Sequence, residues 1–133
     1  MSSNAARFRL ELEDEFSQIM EEHVPLVLQK IAMETLSRVV LKSPVDTGRF
    51  RGNWTVSLGG PSDAMVDTED KSGGPTIAAG SEVLTGIQGL QVIWIQNNLP
   101  YANRLENGWS QQAPAGMVAL TVAEIEMMFE RAE

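Results

Sequence analysis

Residues 49–58 read Arg49-Phe50-Arg51-Gly52-Asn53-Trp54-Thr55-Val56-Ser57-Leu58, and here the hydrophobic rhythm of the chain changes. Phe50, Trp54, Val56 and Leu58 alternate with Arg49, Arg51, Asn53, Thr55 and Ser57, with Gly52 in the inward series. A period of two predicts a strand with one wet face. Upstream the period is that of a helix. Phe8, Leu12, Phe16 and Ile19 share one stripe, and Leu28, Ile31, Ala32, Thr35, Leu36 and Val39 share another. Pro25 suits the first turn of the second helix. Ser43-Pro44 ends that helix, because a residue ahead of proline is pushed out of the α region. Two helices in series, bent at Pro25, are therefore expected before the strand.

Downstream of the strand, residues 59–75 hold Gly59-Gly60-Pro61, four acids and Ser72-Gly73-Gly74-Pro75, with neither period. A mobile loop is expected, and loops of that length are usually functional or disordered. Val83, Leu84, Ile87 and Leu90 suggest a short helix within 76–89, weakened by Gly80 and Gly86. Gln91-Val92-Ile93-Trp94-Ile95 is apolar on both faces, which predicts a central strand with Val92 and Trp94 in the core. Pro100 opens a short helix through Leu105 that stops near Gly108, and 111–116 is a loop. Val118, Val122, Ile125 and Phe129 form the stripe of a last amphipathic helix. These elements predict a single α+β domain over 1–133: a helical arm, 1–42, and a core, 43–133. In it a small antiparallel sheet packs with the two-helix arm and the C-terminal helix.

Composition narrows the chemistry. The 133 residues are 43% hydrophobic, which argues against wholesale disorder. No apolar run has the length of a membrane span, and Met1-Ser2-Ser3-Asn4 does not read as a signal peptide. With no cysteine there is no disulfide, thiol nucleophile or thiolate metal site. Ten basic residues against 18 acidic give a net charge of −8, the wrong sign for gripping nucleic acid or an anionic membrane. Neither sequence-specific nucleic-acid binding nor membrane association is expected. The acids cluster: Glu11, Glu13, Asp14, Glu15, Glu21 and Glu22 stand in 11–22 with no cation, and read as a solvated helix face.

His23 is the only histidine, so triads and multi-histidine metal sites lack their parts. Asp46-Thr47-Gly48 is the tripeptide of aspartic proteases, in which two such aspartates share a proton. Here it follows Lys42-Ser43-Pro44 at a helix end rather than capping an apolar strand. The competing expectation is a turn, with Asp46 and Thr47 bonding its backbone and Gly48 at positive φ. No catalytic, cofactor-binding or metal-binding residue is expected. Tyr101 and Trp109 flank Arg104 and Glu106 in a polar stretch, and Tyr, Trp and Arg are the types enriched at interface hot spots.

Three segments resemble a known family when taken together. Ser43-Pro44-Val45-Asp46-Thr47-Gly48-Arg49-Phe50-Arg51-Gly52-Asn53-Trp54 is similar to the start of the minor tail proteins of long-tailed phages. Asn97-Asn98-Leu99-Pro100-Tyr101-Ala102-Asn103-Arg104-Leu105-Glu106-Asn107-Gly108-Trp109-Ser110 is similar to their second signature, followed by Gln112-Ala113-Pro114-Ala115-Gly116-Met117-Val118. The resemblance covers about 43–120 and points to the tail-completion or head–tail joining (neck) proteins. It implies a non-enzymatic virion assembly protein, made in the host cytoplasm and placed in the tail or neck. Its partners would be other tail and connector proteins, with copies of itself in a hexameric ring and a monomer in isolation as the alternative. A tail-tube or tail-terminator subunit is the nearest rival, and a dimeric protease using Asp46 a remote one. A hexamer would carry about −48, a self-repulsion that pairing across heterologous contacts must offset. The expected interface residues are Arg49, Arg51, Trp54, Tyr101, Arg104, Glu106 and Trp109.

Overall fold

The computed structural model describes the backbone of residues 4–132 and the side chains of 11–131. Helix α1 (Asn4–Gln18) runs through a π turn (Ile19–His23) into helix α2 (Val24–Lys42). Gln18, His23 and Val24 all have right-handed helical dihedrals, and the Val24 N–H bonds the Ile19 carbonyl. Pro25 therefore sits at the start of α2, as expected, but the chain takes an extra residue into one wide turn there instead of breaking. Helix α2 ends at Ser43, whose N–H bonds the Val40 carbonyl at 3.1 Å, just ahead of Pro44.

Strand β1 (Trp54–Leu58) pairs antiparallel with β2 (Ile93–Asn97), in the register Trp54↔Asn97, Val56↔Ile95 and Leu58↔Ile93. Between them lies helix α3 (Gly74–Leu84); after them come α4 (Ala102–Glu106) and α5 (Val118–Ala132). The fold is α+β, with α2 and α3 covering one face of a two-stranded sheet. Leu36, Val39 and Val40 of α2 meet Phe50, Trp54, Leu99, Ala113 and Met117 in the main core. A second cluster joins Ala32 to Leu84 and Ile87, with Leu58 and Ile93 against it. No described helix is long and apolar enough to cross a membrane.

Several expectations need correction. The strand begins at Trp54, because 51–53 form a 3₁₀ turn; Arg49 and Arg51 therefore lie before the strand, not on its wet face. Val92 and Trp94 are exposed, at 61% and 37%. Trp94 pairs with Ser57 on the outer side of the sheet, where no second layer covers it. Among the described side chains of α5 the buried one is Thr121, while Val118, Val122 and Phe129 of the expected stripe are exposed. The α1 stripe is exposed at Leu12, Phe16 and Ile19; the side chain of Phe8 lies outside the described residues.

Gly80 belongs to the helix-to-sheet contact. A Cβ there would collide with the Leu36 side chain and come within 2.9 Å of Val56 Cγ2. The absent side chain lets α3 lie flush on α2 and β1. Gly80→Ala gains helix propensity but must push these layers apart, so it should lower unfolding stability by about 1–3 kcal/mol. Urea denaturation against wild type checks the sign.

Candidate interaction surface

The segments 43–54 and 97–118 are one unit in space. Asn97 Nδ2 donates to the Phe50 carbonyl at 2.8 Å, and the Phe50 ring packs on Tyr101 with centroids 5.8 Å apart. Gln112 bonds both backbone groups of Val45, accepting from its N–H at 2.8 Å and donating to its carbonyl at 3.1 Å. A depression of about 290 Å³ opens between the segments, lined by 44–50 on one side and by Tyr101, Leu105, Ser110 and Gln112 on the other.

Three of the expected interface residues are committed to the fold. Trp54 is 7% exposed, meets Phe50 edge-on at 6.0 Å and donates from Nε1 to Ser43 Oγ at 2.7 Å. Arg51 folds back over the end of α2, donating to the carbonyls of Ser43 (2.8 Å), Leu41 (3.2 Å) and Lys71 (2.8 Å). A guanidinium there satisfies carbonyls that a helix end leaves orphaned and complements its negative dipole end. Glu106 caps α5 from outside it: Oε1 accepts from the N–H groups of Met117 and Val118 at 2.8 Å each, and Oε2 from Ala119 at 3.0 Å. None of these three side chains is free to meet a partner without giving up that role.

The other four remain at the surface. Arg49 is exposed, 3.5 Å from the exposed carboxylate of Asp67. Tyr101 keeps 36% of its surface exposed beyond its contact with Phe50. Trp109 is 72% exposed, and the Arg104 guanidinium stands over its ring at 5.1 Å. A cation over an indole holds both side chains in place before any partner arrives, which reduces the entropy lost on binding.

Asp46 is exposed in a bend between α2 and the 3₁₀ turn. Thr47 Oγ1 accepts from the Arg49 N–H at 3.2 Å, and Gly48 has φ of +92°. Gly48 is required twice over, since a Cβ there would lie 2.6 Å from the backbone of Asp70 and Lys71. No group of three or more His, Cys, Asp or Glu able to hold a metal occurs among the described residues.

The expected mobile loop is fastened instead. Buried Asn53 bonds both backbone groups of Val66 at 2.9 Å, and Asn98 donates to the carbonyls of Ser62 and Ala64. Asp70, 4% exposed, was missed as a structural residue. One of its oxygens accepts from Gly73 N–H and Ser72 Oγ, the other from Thr76 N–H and Oγ1. The signal was present: an aspartate and a serine just ahead of Gly-Pro-Thr mark the start of a helix.

No family model matches the chain, and neither a curated protein nor a solved structure matches it.

Burial raises the pKa of the Glu106 carboxyl, but the N–H donors of Val118, Met117 and Ala119 outweigh it and hold it below the usual carboxylate range. A depressed folded-state pKa contributes stability at neutral pH that is lost as pH falls through it. Glu106→Ala should therefore cost about 1–3 kcal/mol at pH 7. The gap to wild type should narrow once pH drops below the ordinary glutamate pKa of about 4.3. Thermal unfolding of both proteins across this pH range measures it.

Proposed function

We propose that this chain is a non-enzymatic phage virion assembly protein that completes the tail or joins it to the head, acting through the surface formed by Arg49, Tyr101, Arg104 and Trp109. One observation carries the reading. The two segments that resemble the tail-completion family, far apart in sequence, lie against each other and line one depression. Their fold-committed residues (Arg51, Trp54, Glu106) hold the unit rigid, and the residues left over are an aromatic and arginine set of the kind that dominates binding energy.

The exposed Trp109 serves as the anchor in this reading, with Arg104 keeping its ring in place. Arg49, on the rim of the depression, supplies a cation on a chain with eight excess negative charges. A neighbour's acidic face meeting Arg49 and Arg104 would form the heterologous contact from which rings are built. Partners are other tail and connector proteins and further copies of the chain, and the place of action is the virion.

A stop codon early in this reading frame, in the phage that carries it, should leave filled heads and separate tails under negative stain. Intact infectious particles would overturn the joining role. Supplying Trp109→Ala in trans should restore no more than a small fraction of the yield that wild type restores. Its stability should stay within about 0.5 kcal/mol of wild type, as for an exposed substitution. Full rescue by Trp109→Ala would remove this surface from the mechanism.

A further inference from the structure

Two apolar surfaces stand open among the described residues. From Glu11 to Gln18 every side chain of α1 is exposed, and the main packing of the helix is on the π turn at its own base. Its stripe is open at Leu12 (48%), Phe16 (64%) and Ile19 (47%). The second surface is a groove of about 260 Å³ between α2 and α5, lined by Val27, Ile31, Ile125, Met128 and Phe129, with Lys30 and Glu34 at its rim and Glu34 paired with Arg38. A lone helix of this length is marginal in water, and an amphipathic one gains its stability by covering its stripe.

The arm cannot reach the groove of its own chain. With helical dihedrals through the π turn, Phe16 lies about 16 Å up the rod from Val27, at 1.5 Å per residue. Charge says what fills the groove. Residues 11–22 hold six acids and no cation, and Glu15 flanks the stripe three residues after Leu12 and four before Ile19. Lys30, at the groove, forms no ion pair among the described residues.

We propose that α1 is an exchange arm, its Leu12–Phe16–Ile19 stripe seated in the α2/α5 groove of a second copy of this chain, with Glu15 facing Lys30. The contact joins two different patches, so copies associate either by reciprocal exchange or head to tail. It uses none of the residues of the surface described above and holds whatever the protein joins.

The absence of cysteine makes the test clean. Phe16→Cys and Phe129→Cys are both exposed changes, and the helical rise between Phe16 and the groove puts the two thiols of one chain beyond disulfide reach. Purified full-length protein carrying both, oxidised at high micromolar concentration, should give disulfide-linked dimers or longer ladders, reversed by reductant. Either single variant should give at least five-fold less. A monomeric double variant overturns the proposal, as does Phe16→Cys alone linking as well as the pair, which would set arm against arm. As a second measurement, Phe16→Asp should shift sedimentation to the monomer with the far-UV circular dichroism retained. Unchanged sedimentation of Phe16→Asp counts against the arm.

Discussion

The buried carboxylate of Asp70 is the constraint on which the rest of the structure leans. A charge taken out of water is costly unless its oxygens are filled, and four donors from Ser72, Gly73 and Thr76 fill them. Burial raises its pKa, and the bonds from Thr76, Gly73 and Ser72 more than reverse that, so the group stays ionised well into acid. Three consequences follow from one side chain. The first turn of α3 is fixed, which presents Gly80 to Leu36 and Val56. The backbone of 70–71 is pressed onto Gly48, with the Asp70 N–H on the Gly48 carbonyl at 3.0 Å. The Lys71 carbonyl is then in place for Arg51, which ties the same segment to the end of α2.

This arrangement explains what was legible in the sequence and what was not. The α2 stripe was legible because a helix lying on a sheet must bury one side, and Ala32, Leu36 and Val39 do. The inward series Trp54, Val56 and Leu58 was legible for the same reason, as was the helix end at Ser43-Pro44. Periodicity reports that a stripe exists; it does not report what lies on it. Leu12, Phe16, Val122 and Phe129 keep perfect helical spacing and stay exposed. Trp94 and Val92 failed differently: an apolar run implies two covered faces only if the sheet has a second layer, and this one has two strands and helices on one side.

The candidate surface divides along a related line. Sequence picked Arg49, Arg51, Trp54, Tyr101, Arg104, Glu106 and Trp109 as one set because their side chains are of one kind. Structure splits them by whether backbone groups nearby need them. Arg51 meets three carbonyls and Glu106 three N–H groups, so their charges are spent on helix ends. The partners of Arg51 and Glu106 lie eight to 20 residues away in the chain, a separation that no local pattern reveals. Arg104 stands over Trp109, and neither side chain hydrogen-bonds a backbone group among the described residues.

The distribution of order is inverted relative to a self-sufficient domain. In the stretch from 43 to 117 the buried polar residues Ser43, Asn53, Asp70 and Thr76 each hold a hydrogen bond. The regular helices α1 and α5 leave much of their apolar surface in water. Glu124 of α5 bonds Arg38 of α2 at 2.6 Å and also pairs with Lys42. Polar bonds of that kind set the direction of a helix without consuming its hydrophobic face. On the exchange-arm proposal, a second copy would cover these helical faces, and assembly and the last part of the stability would then be the same event.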